Sequence, residues 1–128
     1  MAIELTTGQA RLLAEIGFLG LGRGLPEPAE VVFAALRRLR PAEEVSSVGL
    51  AVVALAQGAS ARAVAALKAG PQTEAVLAFR AVAHSRLGER ALAEELVADL
   101  EAGGAAPELI EIARGALASA RGVAGFPA

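Results

Sequence analysis

The feature that most narrows the folds open to this chain is a small-residue pattern that returns three times. Gly24, Gly58 and Gly88 are each followed five residues later by an alanine: Ala29, Ala63 and Ala93. Seven residues before each glycine stands another small residue (Gly17, Ala51, Ala81), and nine after it a larger apolar one (Phe33, Leu67, Val97). Two helices of a hairpin come close only where small side chains face each other. A glycine ends the first helix, and a larger side chain fills the wider part of the wedge. Fixed offsets held three times therefore predict stacked helical hairpins. The first two glycines are 34 residues apart and the next two 30; the shortening falls where Gly70–Pro71 cuts a helix off.

The pattern lays out seven helices. Residues 1–6 read as a loose lead-in, and Thr6 or Thr7 caps a helix over 8–22, whose core side is read as Leu12, Leu13, Ile16 and Leu19. Gly22–Pro28 is a turn, with Pro26 or Pro28 at the start of a second helix that runs to Arg40 and stops at Pro41. A central helix spans 43–57 and a short one 60–69. Thr73 caps a helix that reaches Leu87, another runs over 89–102 to Gly103–Gly104, and Pro107 opens the last. Leu109, Ile110, Ala113, Ala116 and Leu117 give that last helix an apolar face to cover the final hairpin. Residues 1–121 read as one domain and 122–128 as a disordered tail.

Val45–Ala61 contains no charge in seventeen residues. At helical spacing Val45, Val48, Val52 and Leu55 lie on one side, and Leu50, Val53 and Ala54 on others; Leu50 is read as facing the core. A helix apolar all round is buried all round, and this one is too short and too interrupted by Ser46, Ser47 and Gln57 to span a bilayer. One face packs on the chain's own core, so the other is expected to meet more protein.

Composition removes several function classes. The chain has no cysteine and one histidine, His84, so neither thiol chemistry nor a zinc site is expected. Its net charge is −2 and no basic stripe runs through it, so no nucleic-acid partner is expected. The densest basic run, Arg37–Arg40, sits at a helix C-terminus, where cations favour the dipole. MAIELTTGQ lacks a basic n-region and a long apolar core and is not read as a signal peptide. GLGRG at Gly20–Gly24 has no preceding strand and no Lys–Ser/Thr partner, so it reads as a helix end and not a phosphate loop. His84 has no nucleophile or paired carboxylate at useful spacing and reads as packing. Glu94, Glu95, Asp99 and Glu101 read as a solvated face. No catalytic residue, cofactor or metal is expected.

What remains is a surface. In stacked hairpins the first helix of each pair lines the concave side, which brings Ala14, Phe18 and Leu21, then Val45, Val48, Val52 and Leu55, then Ala75, Ala78 and Val82, into one apolar groove. Such a groove suits the apolar face of a partner helix. Covering the four residues of the central helix gains about 1.5–3 kcal/mol each, against an association cost of roughly 4–15 kcal/mol. Four residues alone roughly break even, so stable binding needs the whole groove.

The 34-residue spacing is that of the tetratricopeptide (TPR) repeat, and the fold expected is all-α: three TPR-like hairpins and a C-terminal capping helix in a right-handed α-solenoid. Leu12-Leu13-Ala14-Glu15-Ile16 with Gly20 and Gly22, then Ala29 and Leu36, then Arg86-Leu87-Gly88 with Ala91 and Leu92 carry a more specific likeness over residues 12–118. Here the chain resembles the YscG-type TPR chaperones of bacterial type III secretion. The resemblance implies a cytoplasmic bacterial chaperone that cradles the amphipathic C-terminal helix of a secreted needle subunit and so prevents premature polymerisation. It also implies a small helical co-chaperone of the YscE type. A chaperone for translocator proteins, and a scaffold whose groove mediates self-association, are the alternatives. No membrane insertion is expected.

Overall fold

The computed structural model describes residues 4–124, with side chains described as far as Ser119. Among them the chain is all-helical: α1 (Thr7–Gly22), α2 (Pro26–Leu39), α3 (Glu44–Ala56), α4 (Ser60–Lys68), α5 (Glu74–Arg86), α6 (Arg90–Ala102) and α7 (Pro107–Ala124). The expected boundaries fall within about two residues of these, except at the end. Helix α7 carries on through Gly122 to Ala124, into the segment read as a disordered tail, and 125–128 lie outside the described residues.

Local chemistry accounts for the ends of the elements. Thr6 accepts the backbone N–H of Gln9 at 3.1 Å while the Gln9 side chain accepts that of Thr6 at 3.0 Å, a reciprocal cap on α1. Thr73 caps α5 by accepting the N–H of Val76 at 3.3 Å. Gly24, Gly58 and Gly88 all have φ between +73° and +79°, the left-handed region that costs a side chain about 1–2 kcal/mol. Each closes the same pair of bonds. After α1, for example, Gly24 N–H donates to the Leu21 carbonyl at 3.1 Å and Leu25 N–H to that of Gly20 at 2.9 Å. These are Schellman turns. A fourth one at Gly104 (φ +69°) leads from α6 into α7.

The recurring small and large residues sit where the offsets put them. Ala29, Ala63 and Ala93 are buried, as are Gly17, Ala51 and Ala81, and Phe33, Leu67 and Val97 lie in the core. Phe33 is the tightest fit. It is wedged between α1 and α3, and a Cβ on Gly17 would come within 2.7 Å of its ring, one on Gly49 within 2.2 Å. Buried side chains form three clusters. One lies around Phe33, Leu36 and Val53; one around Ala51, Leu67 and Val76; and one around Ala81, Val97 and Leu100, where Leu109, Ile110 and Leu117 of α7 close the end.

One expectation fails, in α1. Leu12, Ile16 and Leu19 do not face the core; they are 58%, 48% and 57% exposed. The inward side of α1 is Ala10, Ala14 and Gly17, because only small side chains let that helix come up against Phe33. Leu13 is half-buried against the first cluster. In α3 the core position is Val53, 1% exposed, while Leu50 is only partly buried beside the same cluster.

Contacts are short-ranged along the chain. Among the described residues each helix touches only its first and second neighbours in sequence. Helices α1, α3, α5 and α7 touch one another in succession, whereas α2, α4 and α6 do not touch one another among the described residues. The odd-numbered helices thus form an inner row, and α3 lies in its middle.

Candidate functional site

The inner row explains why α3 carries no charge after Glu44. Ser46, Ser47, Gly49, Ala51, Val53 and Ala54 are its buried residues, small because helices press on it from several sides. Ser47 packs so tightly that a Cβ on Gly70 would lie 1.8 Å from its hydroxyl. That leaves one side of the helix, spaced at three and four residues. Val45, Val48 and Leu55 are each partly buried against a core cluster, and Val52 is half-buried and belongs to none of the three clusters.

The ten residues expected to line an apolar groove divide in two. Phe18, Leu21, Val45, Val48, Val52, Leu55 and Ala75 keep part of their surface, and all lie on α1, α3 and α5. Phe18 stands edge-on to Phe33, with ring centroids 4.8 Å apart. Ala14 and Ala78 are corrections. Both are buried, Ala78 completely, because they are the small residues on which α1 and α5 pack against neighbouring helices. Val82 is buried as well, and its edge lines the wall of a cleft.

That cleft, about 970 Å³, opens between α5 and α7 beside the turns at Gly58 and Gly88. Its apolar wall is Val82, Ile112 and Ala116. Arg86, the last residue of α5, and Arg90, the first of α6, stand at its lip, and Ser60 and Ser119 lie along it. Arg86 Nη1 is 3.5 Å from the Leu55 carbonyl oxygen, which sets the arginine beside the C-terminal end of α3. Of these residues the sequence reading included only Val82. The missed signal is in α7, where Ile112 and Ser119 flank Ala116 at i, i+4 and i+7; Ala116 was read only as part of the stripe that covers the last hairpin, and it also lines the cleft. A second depression of about 740 Å³ lies between α6 and α7; there Glu101 and Glu111 accompany Arg114, which is paired with Glu101.

The remaining polar groups read as structural. His84 is buried, with Nδ1 2.8 Å from Glu89 Oε1, and its carbonyl accepts the Glu89 N–H at 2.9 Å. The pair fastens the α5–α6 turn. Ser85 donates to the Ala116 carbonyl at 3.1 Å and ties α5 to α7. Arg40 grips Glu43 through two nitrogens, at 2.5 and 2.8 Å, and donates to the Leu5 carbonyl at 2.7 Å. The hydrogen bond from Arg40, followed by its charge, holds the Glu43 carboxyl below its ordinary value. This basic run therefore pins the lead-in to the α2–α3 turn, beyond the dipole role read from the sequence. Among the described residues no three His, Asp or Glu side chains converge as a metal site would require, and no helix is long and apolar enough to cross a membrane.

No protein-family model matches the chain, and no curated protein and no solved structure does.

Proposed function

We propose that this chain is a TPR-like chaperone that holds an amphipathic helix of another protein in an apolar groove along α1, α3 and α5. The occupant in this reading is the C-terminal helix of a type III secretion needle subunit, kept from polymerising in the bacterial cytoplasm until export. Three hairpins closed by identical glycine turns, with an inner row of odd-numbered helices and α7 capping the end, support a right-handed TPR-like solenoid. The observation that carries the function is the accessible side of α3. A central helix otherwise packed on its neighbours leaves Val45, Val48, Val52 and Leu55 only part-covered by its own chain.

Because those four residues are already half-buried, covering them gains less than full burial would. The rest comes from Phe18, Leu21 and Ala75 and from the α5–α7 cleft. The exposed stripe of Leu12, Ile16 and Leu19 on α1 supports a separate contact, which we assign to a small helical co-chaperone; a second copy of the chain is the rival occupant.

The test is co-expression with small neighbouring open reading frames, followed by pull-down, with two variants of α3. Val52→Asp keeps a hydrated carboxylate in the free protein. Its melting is expected to be unchanged and its capture of the partner helix to fall by about a hundredfold, since the charge is buried without a partner in the complex. Val53→Asp is expected not to fold. Normal capture by Val52→Asp would remove the groove reading.

A further inference from the structure

We propose that the cleft between α5 and α7 is the charge-reading end of the groove. It takes an amphipathic helical segment whose apolar side chains sit on Val82, Ile112 and Ala116 and whose carboxylates pair with Arg86 and Arg90. The inference rests on the groove reading above and adds to it the sign of the partner's charge.

The left-handed turn at Gly88 folds the end of α5 against the start of α6, so two arginines four residues apart reach the same lip. Among the described residues no carboxylate lines the cleft. Among the described residues Arg86 has no carboxylate within ion-pair distance, while Arg90 pairs with Glu94 at 2.7 Å on the exposed surface, a contact weak enough for a partner's carboxylate to compete with. The depression between α6 and α7 makes the contrast. Its arginine is already neutralised by Glu101, and Glu111 adds a further negative charge. The unpaired Arg86 thus puts a positive charge at the lip of an apolar wall, complementary to an acidic amphipathic helix. Its size agrees. A helix about 10–12 Å across rises 1.5 Å per residue, so about 970 Å³ holds roughly six to eight residues, close to two turns. Two carboxylates at i and i+4 on such a segment span the two arginines.

The probes are three fluorescein-labelled synthetic helical peptides of about twenty residues. The first carries a leucine stripe with two glutamates at i and i+4. The second has glutamines in place of the glutamates, and the third keeps the glutamates but has serines for the leucines. Affinity is read by anisotropy at low and high salt, with the wild type, the double variant Arg86→Gln/Arg90→Gln, and Val52→Asp. The glutamate–leucine peptide is expected to bind about fivefold or more tightly than its glutamine twin at low salt, a preference that shrinks with added salt. The double variant is expected to melt like the wild type and to bind the two peptides equally. Equal binding of both peptides by the wild type, with loss of both in Val52→Asp, would leave the groove and overturn the arginine assignment. Binding of the serine peptide as tightly as the leucine one would overturn the amphipathic occupant. Binding of none of the three would overturn the proposal outright.

Discussion

Replacing Gly49 by alanine tests the packing that sets the shape of the molecule. An added Cβ would lie 2.2 Å from Phe33 Cδ1 and 2.4 Å from Cε1, where unstrained carbon contacts are about 3.5–4.0 Å. The ring or the helix must therefore give by more than an ångström. The ring has no retreat, since on its other side a Cβ at Gly17 would meet Cζ at 2.7 Å, and Phe33 itself is fully buried. Overpacking of this kind costs about 1–3 kcal/mol, and more where nothing can shift. Alanine returns roughly 1 kcal/mol through helix propensity. The net expectation is a loss of about 2 kcal/mol, or a melting temperature lower by roughly 8 °C at this chain length. Urea and thermal unfolding followed by circular dichroism read both quantities. Gly115 in α7 is the matched control: no atom lies within 4 Å of its built Cβ, so Gly115→Ala is expected to stabilise by about 0.5–1 kcal/mol. Phe33→Leu should partly rescue Gly49→Ala, with a coupling of about 1 kcal/mol or more in the double-mutant cycle. If Gly49→Ala melts at or above the wild type, the clamp on Phe33 is not real and the approach of α1 to α3 has been misread.

Two further outcomes follow from side chains outside the core. Ile16→Glu on the exposed stripe of α1 is expected to shift the melting temperature by no more than about 2 °C, since surface changes fall within about 0.5 kcal/mol, and to reduce self-association in light scattering; a large loss of stability would return that side of α1 to the core. Glu43 is held below its ordinary value of 4.5 by its hydrogen bond from Arg40, so its contribution is present above pH 4.5 and is lost as the pH falls through the lowered value. Wild type and Glu43→Gln should therefore differ in melting at neutral pH and converge in acid, and a constant gap down to low pH would contradict this.

The architecture was legible wherever the constraint is local. Gly24, Gly58 and Gly88 announce themselves because only one backbone shape closes these turns, and Ala29, Ala63 and Ala93 follow at a fixed distance along the adjoining helix. What hides from the sequence depends on which surface lies opposite. Periodicity alone gives α1 two candidate inner sides, a leucine–isoleucine side and an alanine–glycine side. Bulk hydrophobicity favours the first. Phe33, sixteen residues beyond Gly17, selects the second by volume. Ala14 and Ala78 were misassigned for the same reason, since a small residue on an inward-facing helix is read as groove floor until the neighbour pressed against it is known. Arg86 and Arg90 look like ordinary surface charges in a list of residues. They become a pair at a cleft only because α7 lies along α5 and brings Ile112 and Ala116 across from them.

The reach of each helix, no further than two elements along the chain, also sets an order in time. Contacts between neighbouring helices form in microseconds to milliseconds, whereas translation advances by about 5–20 residues per second. Helices α1 to α6 can therefore settle pair by pair while the remainder is still being made. The wall that α7 supplies to the cleft arrives last: synthesis from Arg86 to Ala124 takes roughly 2–8 s at that rate. A nascent or truncated chain lacking α7 would present the arginines of the lip but not Ile112 and Ala116, so it could not hold the acidic amphipathic helix proposed for the cleft. Competence to hold that helix would be acquired only when the seventh helix docks.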